Sequence, residues 1–415
     1  MDRHYLQKPH SENRKDEEEG EAEAVIIGGM VLDIHATPST PPNPRTTTPG
    51  KVRYAAGGVA RNIAECVSKL GTNPFMISAL GLDMAGSHSI PYPSNHNTTS
   101  KLVTKVSNPT GNLLLEYWKS TGLSTKGIRM GNEIETPVVS IVFDTEGEPA
   151  AAVASVESLE RFLTPNWIQQ FKSNLASAPI VIVDSNLSPL ALKASCKLAT
   201  EVGTPVWFEP VSVSKSRRIV SIVKYITFAS PNEDELIAMA NALSPKRKFS
   251  PIHKQTLTIT SLFQQLKPAI SILLEKGIKV VILTLGSKGV LLCYKKDFAF
   301  HYPISPKGNK RLREKINVVC PPDRFSGGGV VHFPAVSRAA VARLTGAGDC
   351  LVGGAVAAVC SGLDLMQSVA VGIATAKAAV EVETNVPFEF NLEKITEDAR
   401  SVYLGAKVVF CPSML

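Results

Sequence analysis

Residues 179–210 read PIVIVDSNLSPLALKASCKLATEVGTPVWFEP and carry the clearest signal for a fold. The segment opens with one continuous apolar run and closes with a second, TPVWFEP. Between them, ALKASCKLATEVG has helical character and stops at Gly203. Strands without polar alternation are typical of a parallel sheet that is covered by helices on both faces. The segment therefore predicts a β-α-β unit of an α/β fold.

The same alternation continues on both sides of this unit. Upstream, AVIIGGMVLDI from residue 24 predicts a buried strand with a glycine turn, ARNIAECVSKLG a helix and NPFMISALG a strand. Downstream, NEDELIAMANAL and LFQQLKPAISILLEKG predict helices, and IKVVILTLG and GVLLCY predict strands. β-Branched residues at looser spacing over residues 36–56 and 130–155 favour a small strand-built lid. The sequence thus indicates an α/β domain with a mainly parallel central sheet.

The composition argues against several classes of protein. Lys and Arg total 44 and Asp and Glu total 37, a net charge of +7. No basic helix carries interleaved aromatic residues, so we expect no nucleic-acid partner. The seven cysteines include no CxxC pair, which favours a reduced, intracellular chain without a zinc site. Apolar stretches stay below the roughly 18–20 residues that a membrane span needs, so we expect no membrane partner.

Four segments differ from this pattern. Residues 1–23 lack an apolar core and end in an acidic run, which predicts a disordered tail, no signal peptide and a cytoplasmic protein. Residues 87–111 are rich in Ser, Asn, Thr and Pro and predict a flexible insert. Residues 305–329 are basic and end in glycines, which predicts a flexible loop that is either simply solvated or attracts phosphate or a partner. Residues 399–415 are expected to form a C-terminal extension.

A run of small residues precedes an aspartate in TGAGDC, which contains Gly346, Ala347, Gly348 and Asp349. An apolar, helix-like run follows, so free N–H groups at the helix start could face an anion. Such groups could stabilise the charge on a transferring phosphoryl group, and Asp349 could accept a proton from an attacking hydroxyl. The same residues also fit the alternative of a tight turn with a capping aspartate.

A second candidate region lies near the start of the chain. Gly57 and Gly58 precede a helix, and Asn62 follows one helical turn later, where its amide could bind a polyol. Asp33 ends the apolar run IIGGMVLDI, which predicts a position at the carboxyl edge of the main sheet, where ligands of open α/β folds bind. A strand-to-helix turn and a turn-capping aspartate remain the alternatives.

Two later strings add polar groups after predicted strands. In SPNEDE, Asn232 and Glu235 begin a helix and could hold a hydrated Mg²⁺ beside phosphates, or could simply cap the helix. In LTLGSKG, Gly286 and Gly289 suit a loop that a ligand approaches closely, with Lys288 as a point charge. An ordinary hairpin turn also fits the second string. The chain has no GxxxxGK[ST] motif and no GxGxxG after its first strand, which disfavours P-loop and dinucleotide-binding proteins.

The order of these motifs resembles that in the ribokinase-like, phosphofructokinase-B family of sugar and nucleoside kinases. GGVARN, PNEDE, TLGSKG and TGAGDC occur in the family's order, and the resemblance covers roughly residues 24–398. It implies a ribokinase-like three-layer sandwich with a small β-strand lid. It also implies ATP, Mg²⁺ and transfer of the γ-phosphate to a hydroxymethyl group. A stimulating monovalent cation (K⁺) and a homodimer formed through the lid are further family properties that stay open.

The resemblance assigns roles by position. Asp349 resembles the general base, and Gly346, Ala347 and Gly348 resemble the anion hole. The other matched positions are Asp33, Gly57, Gly58 and Asn62 for the sugar, Asn232 and Glu235 for metal and phosphate, Thr284, Gly286, Lys288 and Gly289 for the nucleotide, and Asn385, in ETNVP, near the adenine.

Within the family, DSNLSP, FEPVSVSK and ETNVP resemble the subgroup that phosphorylates the 5′-hydroxyl of pseudouridine. This implies a small-molecule nucleoside substrate, with Asn186 and Lys215 near it. Arg343 and Leu344 depart from the family, which usually has Asp-Thr there. Two alternatives stay open. The chain could phosphorylate another sugar or nucleoside, or the insert at 87–111 could leave a catalytically impaired variant.

Overall fold

The fold is described by a computed structural model that covers residues 23–42, 45–83, 110–145, 149–252, 257–295, 306–322, 329–336 and 341–410. The strands are β1 Ala24–Ile27, β2 Val31–Pro38, β3 Gly50–Gly57, β4 Pro74–Gly81, β5 Ile128–Gly131, β6 Val138–Phe143, β7 Pro149–Ser155, β8 Val181–Asp184, β9 Val206–Glu209, β10 Phe228–Ala229, β11 Val280–Thr284, β12 Val290–Tyr294, β13 Gly329–Phe333 and β14 Lys407–Phe410.

The helices alternate with these strands for most of the chain. They are α1 Val59–Lys69, α2 Thr110–Ser120, α3 Glu157–Phe162, α4 Pro165–Gln169, α5 Lys172–Ser177, α6 Pro189–Glu201, α7 Val213–Ser216, α8 Glu233–Leu243, α9 Ile259–Glu275, α10 Lys310–Val319, α11 Ala347–Cys360, α12 Leu365–Val380 and α13 Leu392–Gly405. In the described ranges, no helix is long and apolar enough to cross a bilayer.

The main sheet has ten strands among the described residues, in the order β14-β13-β12-β11-β10-β9-β8-β1-β4-β5. Strands β1, β4, β5 and β8–β11 pair in parallel, and β12–β14 extend the sheet antiparallel. Along β1, Val25 and Ile27 belong to one apolar cluster and Ile26 to another. Because successive side chains point to opposite faces of a strand, both faces are covered. The predicted three-layer α/β arrangement is confirmed.

A second sheet forms the predicted lid, with strand order β3-β2-β6-β7. Asp33 lies opposite Ala55 on β3, whereas the next residue, Ile34, lies opposite Tyr54. Directly opposed residues share a face, so Asp33 faces away from Tyr54. The lid therefore has an inner face that carries Asp33 and an outer face whose Tyr54 side chain is 68% exposed.

Two expectations about the second half of the chain need correction. The prediction of a loop over residues 305–329 was wrong for Lys310–Val319, which form α10. Leu312 and Ile316, one helical turn apart, are buried there, and Asn309 Oδ1 caps the helix by accepting from Leu312 N over 3.0 Å. The basic residues occupy the other positions of this amphipathic helix, which packs against α13.

The expected boundary before residue 399 falls inside α13. The following strand, β14, pairs with β13, so residues 399–410 belong to the main sheet and its helical layer and do not form an extension. The apolar residues Val402 and Tyr403 are buried in the core, which explains why this segment packs. The predicted insert at 87–111 and the acidic tail lie almost entirely outside the described residues.

Candidate active site

Asp349 lies in the first turn of α11, whose N-cap is Gly346. Gly346 has φ 83°, in the left-handed region, and a Cβ there would lie 2.2 Å from the backbone oxygen of Asn385. Only glycine fits this turn without displacing backbone. The turn aims the start of α11, at Ala347 and Gly348, toward the site, where its first N–H groups have no intrahelical acceptor. These free N–H groups are the feature that an anion hole needs, and the anion-hole role stays a prediction.

Asn62 and Asp349 meet although 287 residues separate them. Asn62 Nδ2 donates to Asp349 Oδ2 over 2.6 Å. Burial raises the pKa of Asp349 from 3.8 to about 7, and the negative charges of Asp33 and Asp184 act in the same direction. The Asn62 hydrogen bond and the Arg61 charge oppose that rise. A carboxyl group with a pKa near neutral pH is well matched to general-base chemistry.

Asp33 lies on the lid, which corrects the prediction that it ends a main-sheet strand. The main-sheet strand β1 already ends at Ile27, and Asp33 is the third residue of β2. Its Oδ2 accepts from Asn385 Nδ2 over 2.8 Å. A Cβ on Gly57 would lie 2.1 Å from the same oxygen, so glycine allows this close approach. Burial raises the pKa of Asp33. Gly58 is the N-cap of α1.

The side chain of Asn385 lies on the Asp33 side of the site. Besides Asp33, its Nδ2 donates to Ala56 O over 3.1 Å. The predicted position of Asn385 near the adenine stays a prediction, while both acceptors of its Nδ2 are on lid strands β2 and β3. The Asn385 amide bonds to the lid because a buried amide needs acceptors, and the nearest ones are on the lid.

A third polar cluster stands where β8 ends. Asp184 accepts from the backbone N–H groups of Gly29 and Asn186, both over 2.9 Å. Asn186 Oδ1 accepts from Lys215 Nζ over 2.5 Å. Burial raises the pKa of Asp184, against the hydrogen bonds from Gly29 and Asn186. Burial lowers the pKa of Lys215, against the negative charge of Asp184. The predicted substrate residues Asn186 and Lys215 are in direct contact.

Three of the predicted nucleotide residues line a cavity of about 350 Å³ beside the start of α11. Its lining includes Thr284, Gly286, Gly289, Ala347 and Gly348. The cavity therefore joins the TLGSKG loop to the predicted anion hole, as a donor nucleotide would require. Its volume falls in the range of small-ligand sites.

Lys288 is placed differently from its predicted role as a point charge. Its Nζ donates to Leu257 O over 3.2 Å, and its backbone oxygen accepts from the His332 ring over 2.7 Å. Lys288 does not line the cavity described above, which contains Gly286 and Gly289 from the same loop. In this structure the ammonium group supports the loop.

Asn232 and Glu235 form a capping box at the start of α8. Asn232 Oδ1 accepts from Glu235 N, and Glu235 Oε2 accepts from Asn232 N, both over 2.9 Å. The capping interpretation thus describes their contacts. Asn232 also bridges to Thr284, which brings α8 to the nucleotide loop.

A pair of acidic side chains at this end of the sheet suits a divalent cation. Burial and then the charge of nearby Glu235 raise the pKa of Glu209 well above its usual range, and the Asp349 charge adds to this. Burial also raises the pKa of Glu235. Among the described residues no group of three or more metal ligands is preformed. Mg²⁺ is commonly held by one or two carboxylates plus water and substrate phosphates, so this donor set fits it.

The sequence matches one family model and several known proteins. The model of the pfkB family carbohydrate kinases matches residues 21–97 and 92–309. The chain belongs to this family. It is 52% identical over 399 residues to the pseudouridine kinase of Arabidopsis thaliana, covering 93% of this chain and 98% of that one. The pseudouridine kinase of Escherichia coli is 22% identical, covering 88% and 92%.

Solved structures confirm the ribokinase-like fold of this kinase. Arabidopsis thaliana ribokinase, solved with ribose and ATP, aligns with a TM-score of 0.61 at 18% identity over 91% of this chain and 99% of that one. The nucleoside kinase of Methanocaldococcus jannaschii gives 0.60 at 19% identity, covering 92% and 100%. Family membership makes the chain a phosphotransferase with an alcohol acceptor that uses ATP and, by implication, Mg²⁺.

Several residues of the kinase site escaped the sequence interpretation. Asp184 and Glu209 each end an apolar strand, which was the signal that could have identified them. Arg343, noted only as a departure from the family, contacts the lid: its Nη1 lies 2.7 Å from His35 Nδ1, and its guanidinium lies 5.1 Å from the centroid of the Phe143 ring. It joins the lid to the segment before the anion hole.

Proposed function

We propose that this kinase transfers the γ-phosphoryl group of ATP to the 5′-hydroxyl of pseudouridine, giving pseudouridine 5′-phosphate. The observation that carries this proposal is the 52% identity to the Arabidopsis pseudouridine kinase across almost the whole of both chains. The site supports it, because it combines polar groups for the ribose hydroxyls, a proton acceptor and a cavity of about 350 Å³ that a nucleotide could enter.

The proposed mechanism uses the contacts described above. The ribose hydroxyls bind Asp33 and Asn62 while the lid covers them, which excludes water from the reaction. Asp349 accepts the 5′-hydroxyl proton as that oxygen attacks the γ-phosphorus. The N–H groups at the start of α11 stabilise the charge that spreads over the phosphoryl oxygens. Glu235, with Glu209 beside it, would hold Mg²⁺, which neutralises phosphate charge when bound.

We further propose that Asn186 and Lys215 bind the nucleobase. The two side chains bond to each other beside Asp184, so this cluster offers donors and acceptors to a base with several polar edges. Replacing Lys215 by Met should raise the KM for pseudouridine about tenfold to a hundredfold, since it removes a charged hydrogen bond. The KM for ATP should stay unchanged. Lys193→Met, at an exposed position on α6, is the control. Equal nucleoside KM values in both variants would contradict this role.

The pH dependence should report the ionisation of Asp349. The base must be deprotonated to act, and burial raises its pKa to about 7. We therefore expect kcat/KM for pseudouridine to fall about tenfold per pH unit as the pH drops below about 7. The check is a pH profile at saturating Mg·ATP. A profile that stays flat down to pH 5 would show that no buried carboxyl limits the reaction.

The proposed substrate is tested by ADP release from the purified chain with Mg·ATP and pseudouridine, uridine, adenosine or ribose. We expect turnover with pseudouridine far above that with the others. Turnover with a different acceptor would retain the kinase chemistry and replace the substrate. A folded, ATP-binding protein without any turnover would favour the impaired variant.

The lid also supports a proposed homodimer. Its outer face exposes apolar side chains, of which Val52 is 62%, Tyr54 68% and Val153 74% exposed. The strand registers place these residues on one face, opposite to the face of Asp33. Pairing of two such faces would bury them. We expect Tyr54→Lys to shift the chain from dimer to monomer in sedimentation. Activation by K⁺ and a cytoplasmic location stay predictions.

A further inference from the structure

Asn62 connects Asp349 to a buried ion pair on α1. Arg61 donates through Nη2 to Asn62 Oδ1, and Asn62 donates to Asp349 over 2.6 Å. Arg61 also donates through Nη1 to Glu65 Oε2. The side chains of Arg61 and Glu65 are only 3% and 2% exposed, so water competes little with these bonds. A continuous chain of hydrogen bonds therefore runs from Glu65 to the proposed base.

The chemistry of the guanidinium group fixes the direction of the Asn62 amide. Arginine carries donors only, so the amide atom that faces Arg61 must be the oxygen. The amide nitrogen then faces Asp349, where it donates to the ionised carboxylate. Without Arg61 the amide could turn over and set its oxygen against that carboxylate. In this orientation Asn62 Nδ2 carries a second N–H, which can donate to a substrate hydroxyl.

Glu65 places a negative charge next to the Arg61 guanidinium group. Its Oε1 accepts from Lys69 Nζ over 2.5 Å and from the Tyr117 hydroxyl. The Arg61 charge lowers the pKa of Asp349, against the effect of burial. A carboxylate beside Arg61 partly offsets that charge. Removing Arg61 should therefore raise the pKa of Asp349, and removing the Glu65 charge should lower it.

We propose that Arg61 and Glu65 are positioning residues of the phosphoryl transfer, with Arg61 holding the Asn62 amide toward Asp349 and Glu65 balancing the guanidinium charge. This role rests on the proposed function, because Asp349 must be the proton acceptor. Among the described residues, no hydrogen bond joins Arg61 or Glu65 to Asp349 directly. Arg61 acts on that carboxyl group through Asn62 and through its charge, and Glu65 acts through Arg61.

The test is the pH profile of kcat/KM for wild type, Arg61→Met, Glu65→Gln and Tyr117→Phe. We expect the acid limb to move up by about half a pH unit or more in Arg61→Met and down in Glu65→Gln. Tyr117→Phe removes a hydrogen bond from the same Glu65 carboxylate but keeps both charges, so its limb should stay in place. Arg61→Lys should restore the limb but not the full kcat, because lysine lacks the planar fork.

Melting temperature and nucleotide binding show which variants are folded. If Arg61→Met does not fold, the acid limb of Glu65→Gln decides whether the proposal stands, because this substitution keeps the shape of the side chain. If folded Arg61→Met and Glu65→Gln have the same acid limb as wild type in the pH profile of kcat/KM, the proposal is overturned. If wild type itself has no turnover, the proposed function fails, and Asp349 is then followed by ¹³C-carboxyl NMR, assigned by the signal lost in Asp349→Asn. Opposite shifts of that titration would still support the positioning role, and identical titrations would overturn it.

Discussion

Asp349→Asn should lower turnover by about 10³-fold and leave ATP binding nearly unchanged. The amide cannot accept the 5′-hydroxyl proton, whereas the start of α11 and the nucleotide cavity keep their shapes. Asn62 would lose its carboxylate partner but could still bond to the new amide oxygen. Steady-state kinetics and nucleotide calorimetry measure the two effects separately. Unchanged turnover would remove Asp349 from the mechanism.

The same substitution should stabilise the fold at neutral and higher pH. The pKa of Asp349 is raised in the folded chain from 3.8 to about 7, so the folded state binds more protons between these values. Ionised Asp349 therefore costs folding free energy as the pH rises through about 7. Asparagine removes that cost, so Asp349→Asn should melt above wild type at pH 8 and close to it near pH 4. Equal melting temperatures at pH 8 would show that the carboxylate is not destabilising.

Gly346→Ala should reduce kcat by about 10²-fold or more, because it disturbs the donors of the anion hole. The added Cβ would meet the backbone oxygen of Asn385 at 2.2 Å, and the residue has φ 83°. Relief requires the start of α11 or the Asn385 segment to move. Rapid-quench measurement of the chemical step, at saturating pseudouridine and ATP, isolates this effect from binding.

Gly203→Ala is the matched control for Gly346→Ala. Gly203 has φ 80°, and a Cβ there would meet nothing within 4 Å. It therefore carries the backbone strain of a left-handed residue, about 1 kcal/mol, without the clash. We expect it to lower the melting temperature slightly and leave kcat unchanged. Equal kcat losses in both variants would attribute the effect to strain alone.

The fold could be predicted from the sequence because its signals are local. Strands such as β8 and β11 are continuous apolar runs bounded by turns, and Gly203 ends a helix where a glycine is expected. TGAGDC likewise contains the small residues and the acid that its turn needs. These elements carry their own local patterns, so the prediction was right for them.

Features that depend on long-range packing could not be predicted in this way. Asp33 follows an apolar run, yet the chain leaves the main sheet at Ile27 and begins the lid before reaching it. Asn385 has no local signal for its partner, because Asp33 lies 352 residues away. Arg61 and Glu65 have the spacing of an ordinary helix-surface ion pair, and only the tertiary structure buries them. In α10, basic residues concealed the spacing of Leu312 and Ile316.

The central claim is tested most directly by ADP release with pseudouridine and with its 5′-deoxy analogue, using wild type and Asp349→Asn. The analogue keeps the base and the other ribose hydroxyls but lacks the proposed acceptor. We expect turnover only for wild type with pseudouridine, and binding of both nucleosides in competition experiments. Nucleoside-dependent ADP release with the 5′-deoxy analogue at a rate similar to that with pseudouridine would contradict phosphoryl transfer to the 5′-hydroxyl.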